Sequence, residues 1–439
     1  MRALLLSALA LTLAAALPAS AAPKPATVAL EATLEQPLLI AGATFHGHVI
    51  VHLTALERGA PRPRMNIAFV LDRSHGMDAA KMAHIRSAVG AALDELGPDD
   101  VVSVVVFNDT VEVLVPATRV RDRAAILAEL DRLEGAGRAA LFAGASKGAA
   151  EVRKFRGPGT LDRVILLSEA RADVGPVSVD DLASLGAALA REGIAVTTVG
   201  LGGGFDEDSL IALSRRSGGR HYFVERSAEL PALFRAGVAG LATIVAEQLT
   251  LEVAFDPSYR PLRALGHDAD VAGASVTVTL PQLYAGERDE LVFAFDGTPP
   301  EASGAVAQVT LRYRLPGPGA RGVVARSLHA EPAADPGEAE AAMGPGVGAA
   351  VEAVLAAEAR ASALHQRDRG NVDLAHATLL EAAARLRVAQ GRLAAPRLGQ
   401  LAQLLTEDAE HLAGERWSER RKVILEHLHA RPQHRRPGF

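Results

Sequence analysis

The chain has 439 residues, 49% of them hydrophobic and 22% charged, with no cysteine and a formal net charge of -6. That length can bury more than one hydrophobic core, and the mildly acidic balance gives no global reason to expect nucleic acid. The lack of cysteine excludes a disulfide framework, a thiolate metal site and lipid attachment through a cysteine.

The first 21 residues have the form of a signal peptide. Arg2 supplies the charge, LLLSALALTLAAAL the apolar core, and PASAA the small-residue cleavage site. The core, at about 15 residues, is shorter than the ~20 that a membrane-spanning helix needs. The expectation is an exported chain, periplasmic or extracellular, with no transmembrane segment after cleavage.

Residues 22–63 read as the first part of a β-sandwich, with extended segments from Ala26 to Ile40 and from Thr44 to Leu56. His46, His48 and His52 share one face of the second segment, because even positions on a strand point the same way. Imidazoles suit zinc or copper, but no cysteine or acidic residue stands nearby in sequence, so a solvated sandwich face is the plainer reading.

From Asn66 to Met77 the chain reads NIAFVLDRSHGM. The run Ile67 to Leu71 is too short for a helix and apolar on both faces, which predicts a central strand covered on both sides. Asp72 then stands at the strand's carboxyl end, where open α/β sheets bind ligands. Apolar positions from Asp78 to Leu96 recur at helical spacing. Further on, LGPDDVVSVVVFNDTVEVLVP reads as a strand and hairpin, RVILLSEARADVG as a strand and loop, and Ile194–Gly200 and His221–Val224 as two more strands.

In order and spacing these segments resemble a von Willebrand factor A domain, whose signature is D-x-S-x-S-M and whose later loop reads LLSDGxxNxG. The resemblance covers residues 64–246 and implies a doubly wound α/β fold with a metal-ion-dependent adhesion site at the carboxyl end of the sheet. Such a site offers two serines, a threonine and two aspartates to a hard divalent cation such as Mg²⁺, leaving a position for a partner's carboxylate. Carried over residue by residue, Asp72 and Ser74 are kept, the second serine is Gly76, the threonine is Ala139 and the last aspartate is Glu169. The implied metal ligands are therefore Asp72, Ser74 and Glu169, and the implied partner-binding surface is Asp72, Ser74, His75, Ala139 and Glu169. Three readings of the altered site stand side by side. Glu169 can reach into vacated space and ligate an ion, a cation from Arg73, Lys81, Arg138 or Arg171 can replace the ion, or the loops can be plain solvated scaffold.

After the domain, residues 247–330 read as the second part of the sandwich, with strands at Leu249–Phe255, Ser275–Leu280, Asp289–Phe295, Val306–Leu315 and Gly322–His329. Two early strands alone are marginal, so one sandwich interrupted by the α/β domain is the economical solution. Residues 331–346 read as a linker, 347–429 as helical hairpins and 430–439 as a basic tail. The fold class expected is thus multidomain: an α/β doubly wound domain inserted in a β-sandwich, followed by an all-α module.

Enzyme signatures are thin. GASKG, from Gly144 to Gly148, falls inside a predicted helix and not on a strand-to-helix turn. The GLGGGF run at Gly200 lacks the third glycine of a dinucleotide fingerprint. The function expected is protein binding as an adhesion or scaffold protein, with no catalysis. Recognition by the C-terminal helices, and a metal-dependent hydrolase-like site using Asp72 and Glu169, are the alternatives.

Overall fold

The computed structural model describes residues 27–56, 62–316, 321–412, 417, 420–422, 424 and 425. The signal-like segment, the basic tail and most of the last expected helix lie outside the described residues.

Three strands come first: β1 (Val28–Leu34), β2 (Leu38–Leu39) and β3 (Phe45–Ala55). The α/β domain follows, with β4 (Arg64–Asp72), α1 (Ala79–Asp94), β5 (Val101–Phe107), β6 (Val111–Arg119), α2 (Arg123–Glu129) and α3 (Leu141–Arg153). It continues through β7 (Thr160–Ser168), α4 (Val179–Glu192), β8 (Ala195–Leu201), α5 (Glu207–Ser217), β9 (His221–Val224) and α6 (Leu230–Leu241). The chain then forms β10 (Ile244–Phe255), β11 (Tyr259–Leu265), β12 (Ala269–Ala272), β13 (Ser275–Tyr284), β14 (Arg288–Gly297), β15 (Gly304–Arg314) and β16 (Arg321–Pro332). Helices α7 (Pro336–Ala341), α8 (Pro345–Asp368), α9 (Val372–Leu393) and α10 (Pro396–His411) complete the labelled elements.

The domain's sheet has the order β6-β5-β4-β7-β8-β9, parallel except for β6. The run that reads apolar on both faces is buried on both: Ile67, Phe69 and Leu71 join the core under α1 and α6, and Ala68 and Val70 the core under α3. Burying a side chain such as Phe69 contributes about 1.5–3 kcal/mol, so these two cores hold β4 at the centre of the sheet. The strand order reverses between β4 and β7, which opens a crevice at their carboxyl ends. GASKG lies within α3, where Gly144 and Gly148 let the helix close on Phe107 and Val70.

Strands from both sides of the domain share two sheets, β1-β3-β14-β11 and β12-β13-β10-β15-β16-β2. Val49, Val51, Leu53, Phe293 and Phe295 from the first meet Leu249, Leu251, Val253, Val278 and Leu311 from the second in one core. This is the interrupted sandwich, with two strands beyond the expected five, β11 and β12. On the outer face of the first sheet, Ile50, Val292 and Ala294 pack against Val351 of α8.

Two expectations need correction here. The histidines of β3 do have acidic neighbours, brought by other segments: His46 meets Asp296 at 2.7 Å, His48 meets Glu35 at 2.6 Å and His52 meets Glu290 at 3.0 Å. Each pairs separately, and among the described residues no cluster of three or more His, Cys, Asp or Glu is arranged to hold a metal ion. The expected linker at 331–346 is partly folded, because Asp335 caps α7 by accepting from Glu338 N and Ala339 is buried. No described helix is long and apolar enough to cross a membrane.

Candidate functional site

Asp72 ends β4 in register with Phe107, and Ser168 ends β7 beside it. Both are fully buried. The Asp72 carboxylate is a hub for the loops around it. Its Oδ1 accepts the backbone N–H of Ser74 at 2.7 Å, and its Oδ2 accepts the Ser168 hydroxyl at 2.8 Å and the N–H groups of Glu169 and Ala170 at 3.1 and 3.3 Å. Four donors around one buried carboxylate satisfy its charge without help from a side-chain cation. Ser168 was absent from the sequence-based site, although it stands directly before Glu169 and a hydroxyl there was readable.

Asp78 caps α1 by accepting Lys81 N at 2.8 Å. The first turn carries no acidic residue, and the Lys81 side chain reaches back out of the helix. Its ammonium donates to Gly76 O at 2.7 Å and to Glu169 Oε1 at 2.5 Å. A cation near a helix N-terminus opposes the helix dipole, so the pairing with Glu169 supplies what the helix itself does not. A Cβ at Gly76 would lie 3.3 Å from the Glu169 carboxylate, so Glu169 fills the space beside the missing serine side chain.

The third loop brings Ala139. It is fully buried, presents a methyl group where a hydroxyl was implied, and its N–H donates to Asp173 Oδ1 at 2.7 Å. The same loop is fastened by His75 N–H to Gly137 O and Ala136 N–H to Arg73 O, both at 2.9 Å. The His75 side chain is exposed. Of the cations considered from sequence, Arg73 turns to Glu112 at 3.3 Å, Arg138 to Asp109 at 2.9 Å, and Arg171 is exposed. The Arg138 backbone N–H, then its guanidinium, hold the Asp109 carboxyl below the ordinary carboxylate range.

The donor set can be weighed against a divalent ion. Ser74 Oγ and Glu169 Oε2 are buried with no hydrogen-bond partner among the described residues, the kind of orphaned oxygen an ion uses. Against that, both Asp72 oxygens are engaged, Gly76 and Ala139 offer no side-chain oxygen, and an ammonium already sits on Glu169. A hard cation such as Mg²⁺ keeps several waters and is held through one or two carboxylates, and here the Glu169 carboxylate is already held by an ammonium while Asp72 is held by four donors.

The sequence of residues 66–236 matches the family model of the von Willebrand factor type A domain. An uncharacterized protein of Synechocystis is 29% identical over 171 residues, which are 39% of this chain and 40% of that protein. The chain thus spans about two fifths of the length of the curated relatives it matches. Among solved structures, a von Willebrand factor type A protein from Catenulispora acidiphila superposes with a TM-score of 0.68 at 17% identity, covering 86% of this chain and 89% of that one. The ArnB paralog VWA2 from Sulfolobus acidocaldarius gives 0.61 at 17% identity, covering 91% and 98%. At such identities the likeness is one of fold. Together with the strand order, the crevice at Asp72 and the matched sequence, it identifies residues 66–236 as a von Willebrand factor type A domain.

Proposed function

We propose that this is an exported protein-binding protein, an adhesion or scaffold protein, whose recognition surface is the carboxyl-end loops around Asp72–Met77, Ala139 and Glu169, and in which the Lys81 ammonium takes the place of the divalent cation. The family supports the first part, since such domains commonly bind protein partners and typically hold a divalent ion at this end of the sheet. The signal-like first 21 residues support export. The observation that carries the reading is the Lys81 ammonium bridging Glu169 Oε1 and Gly76 O, at 2.5 and 2.7 Å. A fixed internal cation keeps the acidic loop closed and leaves recognition to the exposed His75 and its neighbours, with no ion to share with a partner's carboxylate.

Calorimetric titration of the purified chain with Mg²⁺, Mn²⁺ and Ca²⁺ tests this, beside a variant combining Lys81→Ala, Gly76→Ser, Ala139→Thr and Glu169→Asp. The expected result is no saturable heat for the parent and saturable binding for the variant. Equal affinity in the two would overturn the internal-cation reading, and any partner captured by the parent should stay bound in EDTA.

A further inference from the structure

The GLGGGF run, Gly200 to Phe205, offers no side-chain ligand to the site described above, yet it receives a buried lysine from a distant part of the chain. Lys422 is only 6% exposed. Its ammonium donates to Gly203 O at 2.7 Å and lies 3.5 Å from Gly202 O. It also stands 4.4 Å from the centre of the Phe205 ring and 5.8 Å from that of Phe223. Lysine has three donors and no acceptor, so carbonyl oxygens and aromatic faces are the surroundings that allow its charge to be buried. The glycines make this cradle. Gly202 adopts φ +67°, which turns the loop back at the end of β8, and a Cβ at Gly200 would lie 2.3 Å from the Phe205 ring.

The neighbours of Lys422 extend the contact. Successive helical residues point about 100° apart, so three cations in a row serve three surfaces. Arg420 pairs with the buried Asp408 of α10 at 2.7 Å. Arg421 bridges Asp368 of α8, at 2.8 Å, to Glu207 and Asp208 at the start of α5. Ile424 and Leu425 join Leu364 of α8 and Ile211 of α5 in a small apolar cluster.

We infer that the Gly200–Phe205 loop is a binding site for a lysine side chain presented on a helix, filled in this chain by its own Lys422, and that the contact latches the helical module onto the carboxyl end of the domain's sheet. The loop lies between the latch and the candidate site: a Cβ at Gly202 would be 3.6 Å from Glu169 Oε1, and one at Gly204 would be 2.9 Å from Glu169 O. Since α8 also packs on the sandwich, closing the latch ties all three parts of the chain together. The inference does not depend on a partner binding at Glu169.

The chain has a single tryptophan, Trp417, in the latching segment, stacked under the Arg367 guanidinium at 5.2 Å. It packs against both the α8–α10 core and the cluster that includes Ile211 of α5, so its fluorescence in the full chain reports whether the segment stays seated. Lys422→Met should red-shift Trp417 emission and raise its quenching by acrylamide while the far-UV circular dichroism is retained. A second variant, Glu207→Gln with Asp208→Asn, changes only the first turn of α5 and should act in the same direction. Trp417 as protected in both variants as in the parent would overturn the inference, since the segment would then be held without the loop and α5 contacts, by its apolar cluster and the Arg420–Asp408 and Arg421–Asp368 pairs. If Lys422→Met does not fold, Phe205→Leu, which removes the ring facing the ammonium, decides on the lysine site by the same readout, and the α5 variant decides on the latch.

Discussion

The Lys81 ammonium lies 2.5 Å from Glu169 Oε1, across 88 residues of sequence, with both side chains largely shielded from solvent. The pair closes the loop after β7 onto the first turn of α1. Removing one member leaves the other charge in a site with little water, so Lys81→Met should lower stability by about 1–2 kcal/mol, less than for a fully buried pair. Adding Glu169→Gln should recover most of that loss. A double-mutant cycle by urea unfolding measures the coupling, and additive single effects would mean that the pair contributes nothing.

Asp72 supports a sharper statement. In the family pattern it is a ligand, but here it accepts four hydrogen bonds, from Ser168 at the end of β7, Glu169 and Ala170 after it, and Ser74 after β4. Asp72→Ala would orphan buried donors from both loops and is expected to cost about 3–5 kcal/mol. Asp72→Asn should cost nearly as much if its amide nitrogen faces the Ser168, Glu169 and Ala170 donors. Chemical denaturation checks both variants. Loss of partner capture in Asp72→Ala therefore reports on folding before it reports on recognition, whereas a variant with unchanged unfolding midpoint would remove the hub role.

The central strand was legible because its residues are apolar on both faces and end in a D-x-S pattern, a local signal. The two unexpected strands carry no such signal. β11 contains Pro261, slips register between Pro261 and Arg263, and lies at the edge of its sheet, where a missing N–H is tolerated. β12 is four residues long and mostly exposed. The pairing of the loop charges was only half legible: four cations stood within reach of the acidic loop in sequence, and the choice of Lys81 depends on the turn from Ser74 to Asp78 that aims its side chain backward. Lys422 was out of reach of any local reading, since its carbonyl partners stand 219 and 220 residues away.

His52 gives a pH prediction. Its hydrogen bond to Glu290 raises its pKa above the ordinary 6.5, with burial opposing. A histidine raised in the folded state contributes stability that is fully present below its unfolded value and is lost as pH climbs through the folded one. Urea midpoints of the parent should therefore fall slightly between about pH 6 and about pH 8, and His52→Gln should flatten that part of the profile. The side chain is 40% exposed, so the difference between the two profiles should be only a few tenths of a kcal/mol. An identical slope in both would show that the β3–β14 pair does not couple to protonation.

The join between the α/β domain and the sandwich holds the last prediction. Arg163 of β7 is 1% exposed, and its Nη2 donates to Gln282 Oε1 of β13 at 2.7 Å. Among the described residues, Nε and Nη1 have no hydrogen-bond partner. A buried cation held this way is expensive to solvate poorly and cheap to replace, and the two directions of change should differ in sign. Gln282→Leu keeps the guanidinium but takes away its Oε1 acceptor, together with the Gln282 hydrogen bond to the Tyr284 hydroxyl, which should destabilise by about 2–4 kcal/mol. Arg163→Met removes the charge and fills much of the same volume, and should be neutral or stabilising by about 1 kcal/mol. Thermal unfolding of the two variants beside the parent separates the cases. If Arg163→Met were the more damaging of the two, the guanidinium would be a net stabiliser of the domain junction.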